Sequence, residues 1–117
     1  MDEIKIKNFY DLKVINSDNE FFETLFTGQN FKIERIVSNG HTTPENELYD
    51  QEQDEWVILL KGKAIINFYA PDQSVEMAEG DHILIPAHRL HRVIFTDINS
   101  HSIWLAIHFT NYNTGLI

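Results

Sequence analysis

Glu55 and His91 are the residues of this 117-residue chain around which chemistry is most readily built. Glu55 begins a β-rich run, and in a strand its side chain shares a face with Val57 and Leu59. A carboxylate on such an apolar face is costly to bury unless it is paired or binds a cation. His91 opens another β-rich run and by the same alternation shares a face with Val93 and Phe95, so it points inward wherever that face lines a core. The chain has no cysteine, which excludes disulfides, thiolate metal sites and cysteine nucleophiles. A metal would therefore be held by histidine, carboxylate, amide oxygen or water. The serines stand in no Gly-x-Ser-x-Gly context, and the glycines form neither a phosphate loop nor a dinucleotide fingerprint. Both leading residues also have ordinary readings. Glu55 follows Asp54 at what would be a solvated strand end, and a histidine beside Arg92 is commonly a hydrogen-bonded structural one.

The elements that must position these residues are short β-rich runs between turn signals, and no segment sustains a 3.6-residue apolar repeat. An all-β domain follows. EWVILLKGKAIINFYAPDQSVEM reads as a meander, two runs flanking Lys61-Gly62 and Pro71-Asp72-Gln73 turning the chain into a third. HILIPA, HRVIFTD and HSIWLAIHF follow as strands, separated by residues 87–90 and 97–100. Upstream, FKIERIVS places Phe31, Ile33 and Val37 on one face, interrupted by Arg35, and Lys32 and Glu34 on the other; Thr27-Gly28-Gln29-Asn30 before it reads as a turn. Residues 18–26 fit either a strand or one or two helical turns, and strand is preferred. Residues 38–47 form the longest polar stretch and are expected as a loop. Many short strands joined by such turns predict a sandwich or barrel, and 43% hydrophobic content over this length predicts one domain.

Eighteen acidic residues against nine basic give a net charge of -9, which repels a phosphate backbone and an anionic membrane surface alike. Neither nucleic acid nor membrane is an expected partner. The first residues mix charges without the apolar run of a signal peptide, and no apolar run nears the roughly 20 residues of a bilayer span. The expected protein is soluble and cytoplasmic.

Two segments carry a family resemblance. YDQEQDEWVILLKG resembles the first motif of the cupin superfamily, a His-x-His pair, then a Glu, then a Gly after six intervening residues; Glu55 and Gly62 match. GDHILIPAHRLHRV resembles the second, with five residues between Gly and Pro and a His shortly beyond; Gly80, Pro86 and His91 match. The resemblance runs over residues 49–109 and implies a single antiparallel jelly-roll β-barrel, the cupin double-stranded β-helix. Residues 49–109 would be its core and residues 1–38 N-terminal strands covering it. It also implies that the fold brings Glu55 and His91 together on a divalent metal. The chain departs from the pattern in having Tyr49, Asp50 and Gln51 at the His-x-His positions, His88 where Gly is common and Phe95 where Asn is common. Gln51 would offer its amide oxygen to the ion. Tyr49, with an ordinary pKa of about 10, would donate a hydrogen bond to a ligand rather than bind as phenolate.

A replacement for the missing histidines is available in His108, which shares a face with Trp104 and Ala106. If that face points inward, His91, His108 and Glu55 make a two-histidine, one-carboxylate set suited to iron, manganese, zinc or nickel. The alternative is an interior histidine satisfied by a neighbour. Trp56, Ile58 and Leu60 would lie on the outer face of the same strand and need a cover, from the N-terminal strands or from a second copy in a homodimer. The acidic stretch 45–55 favours neutral or cationic ligands over anions, unless a metal offsets it or Arg89 or Arg92 points into the mouth. The leading expectation is a metal-dependent enzyme acting on a small molecule. The alternative is a non-enzymatic module that binds a sugar or metabolite.

Overall fold

A computed structural model describes residues 3–12 and 20–110. Among these, eight strands form: β1 (Phe21–Thr27), β2 (Phe31–Ser38), β3 (Asp54–Lys61), β4 (Ala64–Phe68), β5 (Gln73–Met77), β6 (His82–Ile85), β7 (His91–Thr96) and β8 (Ser102–Phe109). They lie in two antiparallel sheets, ordered β1-β2-β8-β3-β6 and β5-β4-β7, consistent with a jelly-roll barrel. Residues 18 and 19, expected at the start of the first strand, lie outside the described residues. No helix among the described residues is long and apolar enough to cross a membrane.

Alternation along β3 and β8 builds the core. Glu55, Val57 and Leu59 are buried while Trp56, Ile58 and Leu60 are half-buried, and Trp104, Ala106 and His108 turn inward from β8. Ile66 and Phe68 from β4 and Met77 from β5 close the core from the smaller sheet. These runs are rich in β-branched and aromatic residues, which suit a pleated, half-buried surface.

Two local readings are corrected. The expected meander divides. β4 and β5 form a hairpin with Ala64 opposite Met77, but β3 pairs with β6 and β8 and not with β4. Gly62, at φ +98°, therefore turns the chain between sheets rather than within a hairpin. Phe95 does not share the inward face of His91 and Val93. The β4–β7 register shifts between Ile65, opposite Phe95, and Ile66, opposite Val93, so Ile94 is an extra residue that moves Phe95 outward to 42% exposure and brings Thr96 in. Arg35, which interrupted an apolar face in the sequence, is buried as a clamp. Its guanidinium donates to the carbonyls of Phe9 (2.8 Å) and Asp11 (3.0 Å), pairs with Glu23 and lies over the Phe9 ring, fixing residues 9–11 against the outside of the larger sheet.

Candidate functional site

The mouth of the barrel is assembled by backbone clips. Tyr49 and His91 exchange backbone hydrogen bonds (2.8 and 3.2 Å), the His88 N–H donates to the Gln51 carbonyl (2.7 Å), and the Ala87 N–H donates to Asp54 Oδ1 (2.8 Å). Residues 49–54 are thereby held against residues 87–91, and the stretch at the His-x-His positions lies beside the second motif. His88 has φ +64°, a left-handed conformation that glycine adopts without strain. Its ring Nδ1 lies 2.8 Å from Asp50 Oδ1 at the surface.

Inside lies a cavity of about 70 Å³ lined from both sheets. All five expected site residues, Glu55, His91, Gln51, His108 and Tyr49, line it. His91 is 4% exposed, and its ring stacks on Tyr49 (5.3 Å between centroids) and packs against Phe68 (5.6 Å). Its Nδ1 lies 2.8 Å from the Arg89 carbonyl, and a carbonyl only accepts, so Nδ1 carries a hydrogen and Nε2 is the nitrogen that holds a lone pair whenever the ring is uncharged.

Glu55 is 6% exposed and stands directly opposite His108 in the β3–β8 ladder. Burial pushes its carboxyl up. The charges of His108 and His91 and a hydrogen bond from Gln51 oppose the rise without cancelling it. Tyr49 is pushed up to about 12, chiefly by burial and by the charge of Glu20, so it remains a phenol that can donate.

Two lining carboxylates were not anticipated. Glu34 Oε1 lies 3.2 Å from His108 Nε2, and Lys32 Nζ is 3.4 Å from the other oxygen. Burial alone would raise Glu34, but the His108 hydrogen bond and the Lys32 charge outweigh it and hold the carboxyl below its ordinary value. Glu34 is thus the acceptor and Nε2 of His108 the donor. Glu20 accepts from Ser38 Oγ, and burial raises its pKa. Alternation along FKIERIVS already separates Glu34 from Ile33 and Val37 and groups it with Ile36 and Ser38, which is the signal for Glu34; its inward direction is set by β8, which no local pattern encodes. Glu20 precedes β1 and has no such signal.

The donor set fits a divalent metal incompletely. Among the described residues no three His, Asp or Glu side chains form a group that could hold an ion. His108 faces the cavity but directs Nε2 to Glu34. The donors left are Glu55, Nε2 of His91 and the buried Gln51 Oε1, which has no hydrogen-bond partner. Arg89 and Arg92 do not line the cavity. Arg89 donates to the carbonyls of Tyr69 and Pro71 beneath Phe68, and Arg92 to those of Thr43 and Glu45.

A two-sheet barrel with this mouth defines a class, and comparison with known proteins agrees. The chain is similar to a structure from Ralstonia eutropha JMP134, provisionally assigned as a mannose-6-phosphate isomerase, with 36% identity, 92% of this chain and 100% of that one covered, and a TM-score of 0.85. It is similar in fold to a cupin superfamily protein from Desulfitobacterium hafniense DCB-2 (19% identity, 86% of each chain, TM-score 0.69). It also shares its fold with the polyketide cyclase RemF from Streptomyces resistomycificus (16% identity, 93% of this chain and 81% of that one, TM-score 0.70). No family model and no curated protein matches the sequence. The chain belongs to the cupin superfamily.

Proposed function

We propose that this cupin is an enzyme that moves a proton on a small hydroxy-carbonyl compound, with Glu55 as the proton carrier. The observation that carries the reading is the placement of Glu55: a buried carboxyl in a cavity, across a ladder from one histidine and with a second, aromatically packed histidine on the facing sheet. A carboxyl whose proton affinity is raised by burial is better matched to proton transfer near neutral pH. Shifting a carbonyl along a carbon chain needs a group that removes a proton beside the carbonyl and donors for its oxygen. Glu55 suits the first role, and the phenol of Tyr49 suits the second. The isomerase assignment of the 36%-identical Ralstonia protein supports this reaction class. The test is wild-type protein with aldoses and ketoses in D2O. Deuterium should enter the carbon beside the carbonyl of a ligand that binds; binding without exchange would point to the non-enzymatic module.

A metal-bound site is the second reading, favoured by the unpartnered Gln51 Oε1 beside Glu55. Glu55, His91 and Gln51 would hold the ion, which when bound would polarise a ligand oxygen. Elemental analysis after loading with iron, manganese, zinc or nickel tests it. The expected result is one ion that Glu55→Ala and His91→Ala both lose. Failure of every metal to bind removes this reading.

A further inference from the structure

We propose that the cavity takes an unphosphorylated, hydroxyl-rich small molecule such as a free sugar, and discriminates against sugar phosphates. The proposal deepens the reading above, since it names the substrate class of the same site. Its first support is the distribution of charge. Glu20, Glu34 and Glu55 line the cavity with no lysine or arginine among the lining residues. The nearby cations are committed elsewhere: Arg89 and Arg92 to backbone carbonyls, and Lys32 to Glu34. A phosphate ester brought here would lose water and meet carboxylates, with no guanidinium or ammonium to receive it.

The second support is independent of charge. Two side chains lining the cavity have buried polar atoms without a hydrogen-bond partner, the acceptor Gln51 Oε1 and the donor Nε1 of Trp104, which is only 3% exposed. Buried polar atoms in native proteins are nearly always paired, so an orphaned acceptor and an orphaned donor on one cavity point to a ligand that both gives and accepts hydrogen bonds. A hydroxyl does both, and the carboxylates add acceptors for neighbouring hydroxyls. Val57 and Ile66 supply apolar wall for the C–H faces of such a molecule. The Ralstonia assignment names a phosphorylated sugar, and no lysine or arginine lines this cavity to balance the charge of that phosphate.

The test is an NMR titration of the full chain with matched pairs: mannose and mannose 6-phosphate, glucose and glucose 6-phosphate, fructose and fructose 6-phosphate. Trp56→Phe assigns the Trp104 indole signal. At least one free sugar should move that signal, with its phosphate at least about tenfold weaker because like charges in a binding site cost several kcal/mol. Gln51→Leu, which removes the orphaned acceptor, should weaken the free sugar. A phosphate that binds more tightly than its parent sugar, or no response of Trp104 to any free sugar, would overturn the proposal. The two readings fail separately. A free sugar that binds without deuterium exchange sinks proton transfer alone, whereas a phosphate that binds tightly and exchanges sinks the present proposal alone.

Discussion

Replacing Glu55 with glutamine should slow deuterium exchange into a bound sugar by about 10²–10⁴-fold, the range that a positioned general acid or base supplies. The same substitution should raise the melting temperature at neutral pH. Glutamine keeps the shape and hydrogen-bonding capacity of the carboxyl and removes the group that burial makes costly to ionise. Burial raises the folded-state pKa of Glu55 above its ordinary 4.5, so the folded protein holds this proton more tightly than the unfolded chain does. The stability from that proton is fully present below the ordinary value and is lost as pH rises through the raised one. Glu55→Gln does not titrate in this window. Its advantage should therefore be small at pH 4 and grow toward pH 8, reaching about 1 kcal/mol, a few degrees in melting temperature. Glu34, whose pKa is lowered, stabilises above its ordinary value and loses that contribution on acidification, but it does so in both proteins and cancels in the comparison. Exchange by Glu55→Gln at the wild-type rate would remove Glu55 as proton carrier. Equal melting temperatures at pH 8 would show that its burial carries no such strain.

The reach of local pattern explains what was legible in advance. Inward placement of Glu55 follows from its phase with Val57 and Leu59, and that of His108 from Trp104 and Ala106, because a strand's two faces are fixed by its own sequence. Which strand lies beside which is not so fixed. The polar side of FKIERIVS was identified, yet that Glu34 meets His108 depends on β2 pairing with β8, 74 residues away in sequence at this contact. Phe95 was misplaced for a related reason: one extra residue in β7 shifts its phase against β4, and HRVIFT carries no glycine or proline to mark the bulge. The roles of Arg89 and Arg92 were equally open. An arginine beside a site reads as a ligand for anions until its backbone acceptors are seen.

Gly62→Ala should destabilise this barrel by about 3 kcal/mol from backbone strain and overpacking together. Two separate obstacles meet at this residue. Its φ of +98° lies in the left-handed region that a side chain rarely adopts. A Cβ built there would stand 2.8 Å from Ser102 Cα and closer still to Ser102 Oγ. Ser102 cannot retreat, since it is fully buried at the start of β8, opposite Ser38 of β2. The chain crosses at Gly62 from β3 to β4, so movement there would disturb β3 in the larger sheet and β4 in the smaller, and with them Glu55. Gly80→Ala is the matched control. Its φ of +90° is similarly left-handed, but a Cβ there meets nothing within 4 Å, so it carries backbone strain alone, about 1 kcal/mol. Chemical denaturation of the two variants separates the terms. A loss for Gly62→Ala no greater than for Gly80→Ala would mean that the contact with Ser102 does not constrain the turn between the sheets.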